Sequence, residues 1–197
     1  MKKFAVYWGA FNPPTIAHKW VITHVLEKTN IDKIILCPSG PREDKDYGIA
    51  HNIREEFLRI FYQDLQSDWL PVDFSSFFLT NKNHKNTTAR WVDAYMKTMY
   101  WPNIYHIFWS DVIKNMEGWS DNPNRFVQTK LKKIFANRAW YESDFSGIEN
   151  YMEVNLPDEL DGISSTLIRE MLKNKQSIKN LTTPWVATFL EKNNINF

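Results

Sequence analysis

Apolar and polar positions along this chain fall into blocks whose period switches between that of a strand and that of a helix. Phe4-Ala5-Val6-Tyr7-Trp8 is a nearly continuous apolar run, the pattern of a strand buried on both faces. It stops at Gly9, and Val21, Ile22, Val25 and Leu26 then share one face of a helix predicted over 18–29. A second strand is expected over 31–38, closed by Pro38-Ser39-Gly40-Pro41. Ile53, Phe57, Leu58, Phe61 and Leu65 recur at helical spacing and predict a helix over 52–66. Residues 70–79 are strand-like and 80–86 form a polar turn; Thr87 or Thr88 can cap a helix running to residue 100. Strands are expected at 104–109, 132–137 and 151–154, with short helices at 112–116 and 125–130. Helices from Ser164 or Ser165 to 174 and over 184–193 close the chain.

Strands alternating with helices imply an α/β fold: a single Rossmann-like domain, 1–197, with a mostly parallel twisted sheet flanked by helices. The part from 163 onward is helical. Ligands in such sheets sit beyond the carboxyl ends of the strands, near a switch in strand order. Residues 9–18, 39–45, Ser110-Asp111 and Arg138 all follow predicted strands, so they converge on that edge.

The stretch Gly9-Ala10-Phe11-Asn12-Pro13-Pro14-Thr15-Ile16-Ala17-His18 carries the strongest chemical signal. Gly9 can take backbone angles closed to other residues and let N–H groups approach a ligand. Pro13 and Pro14 stiffen the connector. His18 stands near a helix start, where free N–H groups and the helix dipole favour an anion. Together these suggest a phosphate site, with His18, protonated or hydrogen bonding, stabilising charge on a phosphoryl group. Both the G-x-x-x-x-G-K-[ST] loop and the G-x-G-x-x-G fingerprint are missing. Downstream, Ser164, Ser165 and Thr166 can cap a helix or bind phosphate, and Arg169 presents a planar fork one turn on. Asp111 can accept from a ribose or amide group, or cap the helix after it.

These two segments resemble the paired signatures of the HxGH nucleotidyltransferases. Residues 9–18 are similar to G-x-F-[DN]-P-x-[HT]-x-G-H, and Ile163-Ser164-Ser165-Thr166-Leu167-Ile168-Arg169 to I-S-S-T-x-[IV]-R. Ser110-Asp111 followed by Trp119 is similar to the G-x-D…W region of nicotinate mononucleotide adenylyltransferases. The resemblance implies a nucleotidyltransferase domain that joins the AMP moiety of ATP to nicotinate or nicotinamide mononucleotide and releases pyrophosphate. It implies ATP binding by Gly9, Ala10, Phe11, Asn12, His18, Ile163, Ser164, Ser165, Thr166 and Arg169, with His18, Arg169 and Thr15 catalytic. It implies acceptor binding by Lys45, Thr88, Asp111, Trp119 and Arg138; Arg42, in the loop of Lys45, is a further candidate for triphosphate or substrate phosphate, and Arg54 is a weaker one. Two positions depart from the pattern: Ala17 and Trp109 each stand where the family has Gly. Phosphopantetheine adenylyl transfer, another nucleotidyl transfer of this superfamily, and a non-catalytic nucleotide sensor remain alternatives.

Composition narrows the rest. A chain of 197 residues with 43% hydrophobic content fits one domain with a sizeable core. Net charge is +1, so no overall field attracts nucleic acid or an anionic membrane. No apolar stretch is long enough for a membrane span or a signal peptide, and a cytoplasmic protein is expected. Cys37 is the only cysteine and follows Ile34-Ile35-Leu36, which favours an inert buried thiol. His24, His51, His84 and His106 have no metal-site spacing and are read as structural. Mg²⁺ is expected to arrive with the nucleotide rather than in a protein cage. The partners expected are ATP and a mononucleotide acceptor; a homo-oligomer stays open.

Overall fold

The structure, a computed structural model, describes residues 2–40, 47–76, 79, 104–118, 126–138, 142–195 and 197. Its centre is a six-stranded sheet with every neighbouring pair parallel. The strands are β1 (Phe4–Gly9), β2 (Lys33–Pro38), β3 (Val72–Phe74), β4 (Ile104–Trp109), β5 (Lys132–Asn137) and β6 (Tyr151–Asn155), in the order β3-β2-β1-β4-β5-β6. Between them lie α1 (Ile16–Lys28), α2 (His51–Ser67), α3 (Ile113–Met116) and α4 (Phe126–Thr129); α5 (Asp158–Asp161), α6 (Ser165–Lys173) and α7 (Pro184–Lys192) follow β6. A 3₁₀ turn, Ser110–Val112, links β4 to α3.

The apolar run of β1 is continuous because both of its faces are covered. Ala5 and Tyr7 belong to one core cluster, with Val21, Ile22 and Val25 of α1, while Val6 belongs to a second, with Phe108 and Phe135. Cys37 is buried in that second cluster. Strand order reverses between β1 and β4, where Tyr7 lies opposite Ile107. The connectors leaving these two strands begin at Ala10 and Ser110, and this is the switch point at which such sheets hold ligands.

Most predicted elements stand with shifts of one or two residues. The first helix begins at Ile16 rather than 18, because the Thr15 hydroxyl accepts from the His18 N–H and starts the helix earlier. The strand expected over 70–79 is confined to Val72–Phe74, with Leu79 helical. α5 was not foreseen; four residues carry no readable period. The turn 80–86 and the helix from Thr87 or Thr88 lie outside the described residues. No helix among the described residues is long and apolar enough to cross a membrane.

Candidate active site

Residues 10–15 leave β1 as a rigid, nearly buried turn. Its left-handed residue is Phe11, at φ 44°, and not Gly9, which still belongs to the strand. The expectation of special backbone angles at Gly9 is therefore corrected, and the glycine is needed for space. The Phe11 ring folds back so that a Cβ on Gly9 would meet it at 3.0–3.2 Å. Phe11 also packs edge-on against Tyr7, with ring centres 5.2 Å apart, and against His18 at 5.0 Å.

The carbonyl oxygens of the turn are taken by side chains from distant elements. Arg54 of α2 donates through Nε and Nη2 to Ala10 O at 3.2 and 2.5 Å. Arg169 Nη1 donates to Asn12 O, Ser165 Oγ to Pro13 O and Thr182 Oγ1 to Pro14 O, each at 2.7 Å. Two of these five bonds come from the second signature, so residues 12–13 and 165–169 are in direct contact. Satisfying a turn's acceptors from elsewhere in the protein leaves its N–H groups as the polar face that remains for a ligand.

His18 is held in one tautomer. Its Nδ1 accepts from the Thr15 N–H at 2.9 Å and lies 2.7 Å from Thr15 Oγ1. A backbone N–H can only donate, so Nδ1 carries no proton and the ring's hydrogen is on Nε2. Burial, reinforced by the Arg138 charge, lowers the His18 pKa to about 3. This overturns the protonated alternative: near neutral pH His18 is an uncharged donor through Nε2–H. Thr15 is fully buried beneath it as the helix cap, and its hydroxyl is committed to the imidazole and the His18 N–H.

Ser164 and Ser165 are also committed. Ser164 is the N-cap of α6, accepting from the Leu167 N–H at 3.1 Å, and the Ser165 hydroxyl is the tie to Pro13. Thr166 is exposed, and its hydroxyl accepts from Arg169 Nη2 at 3.0 Å. Ile163 is half-buried just before the cap. Asp111 is exposed inside the 3₁₀ turn and makes no capping bond. Ala17, in the place of a Gly, is fully buried in the core cluster of Tyr7 and Val21, so its methyl does not crowd the surface of the site. Arg138 follows β5 and donates to Asp161 O at 2.6 Å and Ile163 O at 3.1 Å. Its guanidinium lies 4.4 Å over the Trp109 ring, and that ring stands edge-on to His18 at 5.6 Å. Lys45, Arg42, Thr88 and Trp119 lie outside the described residues.

Pattern reading gave Arg54 too little weight and missed Tyr7. Arg54 is 1% exposed, lies 4.2 Å over the Tyr47 ring, and leaves Nη1 without a partner. Asn12 donates from Nδ2 to Tyr47 O at 2.7 Å, while its Oδ1 is unpartnered. The Tyr7 hydroxyl is buried without a partner, and burial raises its pKa, with Arg138 opposing and Asp111 adding. Unpaired buried polar groups are costly, and three of them, Tyr7, Asn12 and Arg54, lie in or beside this turn. A buried Arg on an amphipathic helix was the one visible signal. Of the other histidines, His24 stacks on Trp20 at 4.3 Å and His106 is buried beside Phe108. Among the described residues no group of three His, Cys, Asp or Glu could hold a metal ion.

With this geometry in view, comparison with known proteins is specific. The profile of cytidylyltransferase-like proteins matches residues 6–171. The chain belongs to the cytidylyltransferase-like family. It is 26% identical over 203 residues to a Fusobacterium nucleatum protein named "probable nicotinate-nucleotide adenylyltransferase", covering 98% of this chain and all of that one. A protein of the same name from Aliarcobacter butzleri is 27% identical, over 91% of this chain and 92% of its own. Among solved structures, Plasmodium falciparum nicotinic acid mononucleotide adenylyltransferase complexed with NaAD superposes with a TM-score of 0.81 at 21% identity, covering 99% and 97% of the two chains. That likeness shows the family's α/β fold carried over the whole length.

Proposed function

We propose that this chain transfers the adenylyl group of ATP to nicotinate mononucleotide, with nicotinamide mononucleotide as the alternative acceptor, in NAD biosynthesis in the cytoplasm. A phosphate oxygen of the acceptor attacks the α-phosphorus of ATP, the bond from that phosphorus to the bridging oxygen breaks, and pyrophosphate leaves. The attacking phosphate is already an anion, so alignment and charge neutralisation suffice. ATP is taken as its Mg²⁺ complex. In this reading the neutral His18 donates from Nε2–H to a phosphate oxygen, and Gly9, Ala10, Phe11 and Asn12 present the turn to the nucleotide. Arg169 and Thr166 border it from α6, Ile163, Ser164 and Ser165 shape that border, and Thr15 fixes the His18 ring. Asp111, with Lys45, Thr88 and Trp119, is assigned to the acceptor.

The observation that carries the proposal is the pair of 2.7 Å bonds joining the two signatures at the switch point of the sheet, Ser165 to Pro13 and Arg169 to Asn12. The names of the full-length relatives support the choice of acceptor. The test incubates the protein with Mg²⁺, ATP or CTP, and nicotinate mononucleotide, nicotinamide mononucleotide or phosphopantetheine, and follows pyrophosphate. Release with ATP and a pyridine mononucleotide is expected. Release only with phosphopantetheine or only with CTP replaces the substrate assignment, and ATP binding without release under any acceptor makes the chain a nucleotide sensor.

A further inference from the structure

Trp109 and Arg138 form a contact that the paired signatures do not account for. Trp109 ends β4 and Ala136, two residues before Arg138, is its register partner on β5, so both side chains rise from the same edge of the sheet. The Arg138 guanidinium lies over the indole at 4.4 Å, and its two terminal nitrogens each donate to a carbonyl, those of Asp161 and Ile163. Those carbonyls belong to the segment that immediately precedes Ser164, the N-cap of α6. The indole in turn lies perpendicular to the His18 ring, with centres 5.6 Å apart. A chain of contacts therefore runs from the first signature through Trp109 and Arg138 to the backbone of the second, independently of the Ser165 and Arg169 bonds on the other side.

Resting on the adenylyl-transfer reading, we propose that Trp109 and Arg138 are a positioning pair that fixes residues 161–166 against His18, so that their loss weakens ATP binding rather than acceptor binding. Both Arg138 carbonyl bonds require a planar fork, and the stack on the indole aims that fork. A large ring at 109 is thus a functional substitution: it supplies the platform from which Arg138 reaches the second signature. Each terminal nitrogen of Arg138 already serves a backbone carbonyl of the segment before α6, so in this proposal the guanidinium serves that segment rather than the acceptor.

The experiment measures KM separately for ATP and for the mononucleotide in Arg138→Ala, Arg138→Lys, Trp109→Phe and Trp109→Gly, with Tm of the free proteins as the folding control. Arg138→Ala should raise KM for ATP by about tenfold, a fraction of the loss that ångström-scale misplacement causes, and leave KM for the mononucleotide within about twofold. Added guanidinium should recover part of the loss, and Trp109→Phe, which keeps a flat ring, should stay near the wild type. Trp109→Gly, which removes the ring, should raise KM for ATP as Arg138→Ala does, and the two combined should be no worse than the more affected single variant, because the two residues act through one contact. A rise in the mononucleotide KM with the ATP value unmoved would assign Arg138 to the acceptor and overturn the proposal, as would no change in either. Should the wild type release no pyrophosphate at all, the function fails but the pair does not: the same variants are then compared by calorimetric Kd for a non-hydrolysable ATP analogue, where unchanged affinity refutes it.

Discussion

The protonation state of His18 gives the sharpest test of the site. With a pKa of about 3, only about one His18 ring in a thousand carries a positive charge at pH 6. Its contribution to catalysis is then that of one neutral donor, and removing such a donor costs about 10²–10³ in turnover. His18→Ala should show that loss. His18→Gln places an amide N–H near the position of Nε2–H and should recover part of it, although it can never be charged. The pH profile separates the cases further. A cationic His18 would make activity fall as pH rises through about 6.5, whereas the buried neutral ring predicts no limb of its own between pH 6 and 9. Phosphate monoesters titrate near pH 6, so a limb from the substrates is expected in the wild type and in His18→Gln alike. Steady-state kinetics over that range, with the ring carbons followed by NMR from pH 8 to 5, decides it. A limb near 6.5 present in the wild type and lost in His18→Gln, with Gln no better than Ala, would refute the neutral-donor argument.

Space at Gly9 and strain-free room at Gly162 predict opposite outcomes for the same substitution. Gly9→Ala pushes a methyl into the Phe11 ring, which Tyr7 and His18 hold on two sides; urea unfolding should show a loss of about 1–3 kcal/mol, together with reduced activity. Gly162→Ala, at φ −76° and ψ −10° with nothing within 4 Å of the new methyl, should be neutral or add about 0.4–1 kcal/mol; equal effects at the two positions would contradict the packing described. Acid stability follows from His18 and His106, both lowered by burial to about 3, with Lys133 adding at His106. The unfolded chain takes up these protons first, so the stability they contribute is whole above pH 6.5 and declines toward pH 3, by roughly 1.4 kcal/mol per pH unit for each ring. Urea midpoints at pH 7.5, 6 and 5 should fall less steeply for His18→Gln and His106→Gln than for the wild type, and parallel lines would exclude the mechanism.

The parts of the fold that were legible in the sequence are those where one interaction dominates. Nearly continuous apolar runs marked β1 and β4 almost to the residue, because burial on both faces leaves no other pattern. The stretch 70–79 misled because the same apolar composition serves a three-residue strand and whatever packs after it. Near the site, the signatures marked the correct segments but not the work done by each side chain. Ser164 is expected as a phosphate ligand or a cap and Thr15 as a catalytic residue, and the structure uses both hydroxyls locally, as caps. Spacing tells which residues can meet, while the partner that a hydroxyl finally takes is set by tertiary contacts.

The same reasoning explains why the second signature is rich in small hydroxyls beside one Arg. Four carbonyls of the 10–14 turn accept bonds from side chains far away in sequence. Left unpaired in a buried turn, each would cost about 1–3 kcal/mol, and together they would set a negative wall against the polyanion the turn is proposed to receive. In the proposed reaction Ser165 and Arg169 would therefore serve the nucleotide first through the turn, by occupying its acceptors. Residues that complete the first signature from within the second tie the two segments together: in the proposed reading neither would form an anion site alone, which is why their joint presence in a chain is so much more telling than either by itself.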